Sequence, residues 1–407
     1  MSSSLQTSSS PDSARTTPTR SILLLAAAGF ASQAQARVTD SLLPQIALDF
    51  HTTVGTAALV VSLYAVSHGA IQFVAGPAGD RFGKYRTVTI ASLLAAILVA
   101  ICGTVSSLPE LVLARLATGA VAGWVIPISM AYVGDVTPYQ RLQPILARYA
   151  SGYILGQLFG QAAGGILGDL IGWRNVLFVL AGIFAAAALG LIVELIIDPK
   201  TNERAKATAS PRGFIAEYAI VLSDPFARVI LVVGVLEAAL AWGAFTYIGA
   251  DLHLRFGLSF TFVGITVAFF GLGGLIYASL VQSLVHWFGQ RGLLVTGSGL
   301  FTAAYLVLAV EPRWWLAPAA VITIGLGFYM FHNTLQTNAT QITPQVRGTA
   351  VAIFASALYL GQTIGITLGA LVIDRIGARA LFAGTAIAFP ALAVWFAHEL
   401  KRRQPPI

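Results

Sequence analysis

Residues 148–174 read RYASGYILGQLFGQAAGGILGDLIGWR, and residues 353–379 read IFASALYLGQTIGITLGALVIDRIGAR. Laid over each other at a shift of 205, the two stretches agree at eleven of twenty-seven positions. The identities include Ser151/Ser356, Gly156/Gly361, Gln157/Gln362, Gly160/Gly365, Gly164/Gly369, Asp169/Asp374 and Arg174/Arg379. One residue of offset away, Thr137-Pro138 with Arg141 matches Thr343-Pro344 with Arg347. Small residues recur at every fourth position, the spacing that lets one membrane helix lie close against another. The chain is a duplication, and its repeated unit is apolar and helical.

Outward from these stretches, runs of about 20 apolar residues recur twelve times between Ile22 and His398. Their centres lie near Phe30, Ala65, Ala96, Gly123, Gly160, Phe184, Leu240, Gly271, Val307, Gly327, Gly361 and Ala391. Transmembrane strands are about ten residues long and alternate in polarity, so a β-barrel is excluded. Of the 407 residues, 57% are hydrophobic and 10% charged, whereas ordinary globular proteins are about 25% charged. An all-α membrane protein of twelve transmembrane helices in two pseudo-symmetric six-helix bundles follows. The bundles are expected over residues 21–197 and 227–400, after a disordered tail (1–20) and before a short C-terminal tail (401–407). The linker, 198–226, is polar at first and then carries an amphipathic segment over 213–222 suited to the membrane interface.

The net charge of +7 is explained by topology, without nucleic acid. With both termini cytoplasmic, seventeen of the 24 lysines and arginines fall on the inner side. Arg174, Arg255, Arg313, Arg375 and Arg379 fall outside, and Arg37 and Arg115 lie within helices. Positive charge accumulates on cytoplasmic loops, which orients both termini inward in a bacterial inner membrane. Cys102 is the one cysteine, leaving no disulfide framework, cysteine zinc site or redox pair. No phosphate loop, metalloprotease motif or other enzyme signature is present, and no metal or cofactor is expected. Arg15 and Arg20 followed by an apolar run ending in Ala34-Gln35-Ala36 imitate a cleaved signal. The run is read as retained, because the duplication needs it as the first helix of the first half.

After the second run comes Gly76-Pro77-Ala78-Gly79-Asp80-Arg81-Phe82-Gly83-Lys84-Tyr85-Arg86. It resembles the G-x-x-x-D-R-x-G-R/K-R/K loop of the major facilitator superfamily. There the loop is a conformational latch, assigned here to Gly76, Asp80, Arg81, Gly83, Lys84 and Arg86. An acid can cap a neighbouring helix N-terminus while the basic cluster stays at the cytoplasmic face. In the second half Gln282, His286, Trp287, Phe288, Gly289, Gln290 and Arg291 stand in the equivalent places, so Asp80 has no counterpart. Arg115 through Gly119 resembles the R-x-x-x-G element of the same superfamily. Residues 152–165 are similar to its antiporter element G-x-x-x-G-P-x-x-G-G, with Gln161 in place of proline. Asp40 with Pro44 looks like the acidic D-x-x-x-P element of proton-coupled antiporters. The resemblance covers essentially the whole chain. It implies the major facilitator fold and points to the twelve-helix drug:proton antiporter and sugar or drug efflux branch.

Polar residues inside apolar helices are costly and therefore mark candidate sites. Arg115, at about 2.5–3.5 kcal/mol on insertion scales, is expected to have an acidic or anionic partner. Gln33, Arg37 and Asp40 form one stripe near the outer end of the first helix. Glu237 lies near the middle of the seventh. Asp40 and Glu237, with Arg115, are the candidates for proton coupling. Tyr64, His68 and Gln72 line one helix face, while Tyr329, His332, Asn333 and Gln336 line another. The substrate contacts expected are Gln33, Arg37, Tyr64, His68, Gln72, Trp124, Gln157, Trp242, Asn333, Gln336 and Gln362.

The function expected is secondary active transport by alternating access, through proton-coupled efflux of a small amphipathic molecule, drug or sugar. The proton gradient supplies the energy; the partners are a small-molecule substrate, protons and the lipid bilayer, and the protein is read as a monomer. Uptake or exchange of an organic anion bound by Arg37 and Arg115 is the alternative within transport. A transporter-like receptor or lipid-handling protein is the alternative outside it.

Overall fold

A computed structural model of the chain describes residues 18–198, 201, 214–310, 313–343 and 346–403. The first seventeen residues of the expected N-terminal tail, much of the linker and residues 404–407 lie outside the described residues. Helix α1 spans Thr19–Asp49; α2 (Val54–Ala57) and α3 (Leu59–Phe82) together make the second crossing, and α4 (Lys84–Thr104) the third. The fourth is α5 (Leu108–Ala122) with α6 (Val125–Val136), followed by α7 (Tyr139–Ile171) and α8 (Trp173–Ile197). A short helix, α9 (Phe214–Ser223), precedes α10 (Pro225–Phe245) and α11 (Ile248–Phe256), which share the seventh crossing. Then come α12 (Phe260–Val310), α13 (Ala317–Ala339), α14 (Arg347–Arg375) and α15 (Ala378–Arg403).

Among the described residues, ten helical segments are long and apolar enough to cross a membrane, and one of them, the 51-residue α12, is broken at Gly289 into two. The 31-residue α1, more polar in its second half, is the remaining crossing, giving twelve. Gly289 (φ 60°) repeats Gly83 (φ 90°) of the first half, and Gly377 (φ 99°) repeats Gly172 (φ 79°). A side chain is strained at such angles, so the duplicated glycines mark duplicated tight turns. Starts are capped as the sequence allows: Asp224 accepts from the backbone N–H of Phe226 and Ala227 ahead of Pro225.

The glycines shared by the repeat form its central seam. A Cβ on Gly156, Gly160 or Gly164 of α7 would collide with the carbonyl oxygens of Phe30, Ala34 and Val38 on α1. A Cβ on Gly361, Gly365 or Gly369 of α14 would meet those of Val235, Ala239 and Gly243 on α10. The register is the same 205 residues throughout, so the two halves pack their first and fifth helices identically. With lipid outside as apolar as the side chains inside, such close backbone approach is what holds the helices together. The resemblance to an antiporter element in α7 is thus, physically, a packing seam, and α7 runs unbroken through Gln161. Each half has its own core, around Leu42, Val99, Leu177 and Phe184 in the first and Phe301, Tyr305, Phe331 and Phe389 in the second. The halves meet along α3 with α14 and along α7 with the first part of α12.

Three boundaries differ from the sequence reading. Thr19 and Arg20, assigned to the tail, already form the first turn of α1, and Lys401 to Arg403 continue α15. Helix α1 passes through Pro44 and ends nine residues beyond Asp40, so Asp40 lies well inside the helix. Proline removes one backbone donor, and the Asp40 carbonyl it would have bonded lies against the neighbouring α11 at Gly249.

Candidate functional site

Between the halves lies a cavity of about 750 Å³. Arg37 of α1 and Tyr153 and Gln157 of α7 form one wall; Trp242 of α10, Phe328, Tyr329, His332, Asn333 and Gln336 of α13, and Tyr359 and Gln362 of α14 form the other. The first part of α12 adds Gly271, Gly274 and Tyr277. The space runs down to Gln290, Gln336 and Thr337, which are exposed at the end carrying both termini.

At the opposite end the halves close on each other. Gly165 of α7 and Gly264 of α12 touch backbone to backbone. The Asp169 carboxylate accepts from the Thr261 hydroxyl at 2.8 Å and its N–H at 3.3 Å, capping the start of α12. Its repeat mate Asp374 accepts from the Thr53 hydroxyl at 2.7 Å and the Gly55 N–H at 3.1 Å, capping α2. Each half's fifth helix thus caps the second helix of the other half. The Tyr247 hydroxyl donates to the Ile366 carbonyl at 2.7 Å just below.

Two groups of buried charge adjoin the cavity, and a third lies away from it. Glu237 has no exposed surface, and both its oxygens lie 3.1 Å from Nδ1 of His332, whose ring stacks on Phe328 at 5.0 Å and lines the cavity. Arg37 lies flat on Trp242, its guanidinium carbon 3.6 Å from the ring centroid, and its Nη1 stands 3.8 Å from Asp40 Oδ2. Arg37 and Trp242 are also 205 residues apart, so the stack joins two repeat-equivalent positions across the cavity. Asp40 is 1% exposed, which rules out a solvated position at the helix end.

Arg115 is wholly buried and away from the cavity wall. The sequence predicts an acidic or anionic partner for it, and among the described residues no carboxylate is hydrogen-bonded to it. Instead its guanidinium donates to the carbonyls of Val60 at 3.2 Å and Gln35 at 3.3 Å and to the Thr39 hydroxyl at 3.2 Å, over the ring of Tyr64. Carbonyl dipoles at kinked or closely packed membrane helices can solvate a cation in this way, so it ties α5 to α1 and α3.

Of the residues expected to touch substrate, Arg37, Gln157, Trp242, Asn333, Gln336 and Gln362 line the cavity. Gln33 lies behind it beside Tyr359. Tyr64 and His68 are buried in the interface of α3 with α5 and α14, the His68 ring meeting that of Tyr359 at a tilt, 4.5 Å between centroids. Gln72 is half-buried on α3 outside the wall, and Trp124 faces a separate groove with Phe82 and Arg86. In the expected latch, Gly83 makes the turn, Lys84 Nζ pairs with Asp135 at 2.6 Å, and Arg81 and Arg86 are exposed. The surroundings of Gly76 and the side chain of Asp80 lie outside what is described. The wall residues not named from sequence as substrate contacts are chiefly Tyr153, Phe328, Tyr329, His332 and Tyr359. Only the Tyr329–His332–Asn333–Gln336 stripe signalled any of them.

The family profile of the Major Facilitator Superfamily matches residues 25–350. The "Uncharacterized MFS-type transporter YceJ" of Bacillus subtilis is 25% identical over 332 residues, 80% of this chain and 82% of that protein. "Multidrug resistance protein 1" of the same organism is 21% identical over 338 residues, 81% of this chain and 84% of its own. Among solved structures, a bacterial homologue of the lysosomal transporter Spinster, inward-facing and unoccupied, superposes with a TM-score of 0.72 over 96% of this chain and all of that one, at 16% identity. A point mutant of the nucleoside transporter NupG gives 0.75 over 94% and 99%, at 14% identity.

Proposed function

The chain belongs to the major facilitator superfamily and is a multi-pass secondary transporter, and on that premise we propose that it moves a small amphipathic molecule by proton-coupled alternating access. The observation that carries this reading is Glu237, wholly buried beside the central cavity and bonded to a histidine that faces it. Through His332 a proton in the cavity can reach the carboxylate, and the charge of the pair then follows the side to which the cavity is open. Asp40 beside Arg37 is a second proton site in the other half. The end bearing the termini is the cytoplasmic one by its basic loops, so the conformation is open inward and sealed outward. The halves rock about this cavity, and one proton moving inward across 100 mV releases about 2.3 kcal/mol, enough for more than tenfold concentration of a neutral substrate.

The relative named a multidrug resistance protein supports export as the direction of transport. A second reading, carriage of an organic anion, is favoured by Arg37 as the one arginine, lysine, aspartate or glutamate among the described residues of the cavity wall. The test is flux in proteoliposomes under an imposed pH gradient, with ethidium as a cationic probe and 2-naphthoate as an anionic one. Glu237→Gln and His332→Asn are expected to abolish the pH dependence while sparing exchange of internal for external probe. Unchanged pH-driven flux in both Glu237→Gln and Asp40→Asn would remove the proton sites proposed here. Probe moving against the proton indicates export; probe moving with it indicates the anion reading.

A further inference from the structure

The charge on the cavity wall is more selective than its size. Among its described residues Arg37 is the single arginine, lysine, aspartate or glutamate. The two nearby acids are withdrawn: Asp40 is 1% exposed and Glu237 is fully buried behind His332. A cationic substrate entering this space meets a guanidinium and no carboxylate.

Arg37 is itself nine-tenths buried yet incompletely bonded. One face of the guanidinium rests on Trp242, its Nε has no hydrogen-bond partner among the described residues, and the nearest carboxylate oxygen is 3.8 Å away, beyond hydrogen-bond reach. The buried Nε is closed to solute, but a planar guanidinium that is held in place by an aromatic ring and lines a cavity presents its end to an oxyanion such as a carboxylate. The amides of Gln157 and Gln362 line the same space from opposite halves.

The rest of the wall suits a flat apolar body. Trp242 and Phe328 meet edge to face at 5.6 Å, Phe328 and Tyr329 likewise at 5.4 Å, and His332 stacks on Phe328, giving an aromatic-lined corner beside the arginine. At about 750 Å³ the cavity is far larger than an inorganic anion and within the range of organic ligands. We propose that the substrate is an aromatic carboxylate, its carboxylate on Arg37 and its ring against Trp242, Phe328 and Tyr329. This rests on reading the cavity as the transport site.

The experiment is equilibrium binding to the purified full chain in nanodiscs, followed by quenching of tryptophan fluorescence and by thermal shift. Four probes are compared: 2-naphthoate, neutral 2-naphthamide, cationic 2-naphthylmethylammonium and acetate. The expected result is that 2-naphthoate binds at least tenfold more tightly than the amide, the amine or acetate. Arg37→Gln should weaken 2-naphthoate at least tenfold and leave the amide unchanged, and Arg37→Lys should restore part of the loss. Equal binding of the amide or amine to the wild type overturns the proposal without any variant, and equal binding of acetate removes its aromatic half. If Arg37→Gln does not fold, Trp242→Leu serves instead, and unchanged 2-naphthoate affinity there also counts against it. A wild type that drives another solute with pH but does not bind 2-naphthoate loses the substrate class and keeps the transport reading. Arg37-dependent binding without flux does the reverse.

Discussion

Replacing Gly165 with alanine should open the sealed end of the transporter. In the closed arrangement a Cβ on Gly165 would stand 2.6 Å from the Gly264 backbone nitrogen, and one on Gly264 would stand 2.8 Å from the Gly165 nitrogen. Ordinary contact needs about 3.5 Å, so α7 and α12 must part by about 1 Å, and neither neighbour is a flexible side chain that could yield. Overpacking of this kind costs about 1–3 kcal/mol. In the state open at that end the two helices have separated and the methyl costs nothing, so the whole penalty falls on the closed state. The equilibrium should move by a factor of about 5 to 150, since each 1.4 kcal/mol is tenfold. The assay places a single cysteine at Gln362 on the cavity wall, in a chain whose one native cysteine, the buried Cys102, is replaced by serine. Labelling from outside with a membrane-impermeant maleimide reports opening. Gly165→Ala should label faster by that factor, while Gly182→Ala, whose Cβ would meet nothing within 4 Å, should match the parent. Equal rates for the two glycine variants would refute the contact as a gate.

Asp169→Asn and Asp374→Asn each weaken a charged helix cap at an exposed site, so each should shift the same labelling assay by only about 0.5–1 kcal/mol, and together additively. A double variant no faster than either single one would show that the caps do not act on the gate. Arg115→Ala should lower the thermal stability of the detergent-solubilised protein by about 1.5–3 kcal/mol, since it removes the charge-assisted hydrogen bonds that tie α5 to Val60, Gln35 and Thr39; an unchanged melting temperature contradicts the bonding described. Gly160→Ala and Gly365→Ala meet the repeat-equivalent carbonyls of Ala34 and Ala239 and should therefore destabilise by similar amounts, about 1–3 kcal/mol, read by the same unfolding assay.

Several features of the site were within reach of sequence, and others were not. Arg37, Gln157, Trp242, Asn333, Gln336 and Gln362 were named from polar stripes, the repeat and aromatic position, and all six stand on the cavity wall. Tyr64, His68 and Gln72 form an equally regular stripe and stand elsewhere, because periodicity identifies a helix face without saying which helix packs on it. Glu237 stood out by its isolation among apolar residues, but its partner His332 is 95 positions away and shares no motif with it. Arg115 misled for a related reason: its cost in lipid is legible, yet backbone carbonyls on α1 and α3, invisible to a residue count, bear it.

By itself the sequence determined twelve apolar crossings, the duplication at 205 residues and the asymmetry of basic loops. These are local properties, written in hydropathy, glycine spacing and charge along the chain. Only the tertiary structure decided how deep Asp40 lies, that Asp169 and Asp374 cap the helices of opposite halves, that Arg37 rests on its repeat mate Trp242, and that Glu237 is reached through His332. Each of these depends on which helix faces which across the interface, and that follows from the simultaneous packing of both bundles rather than from any one segment.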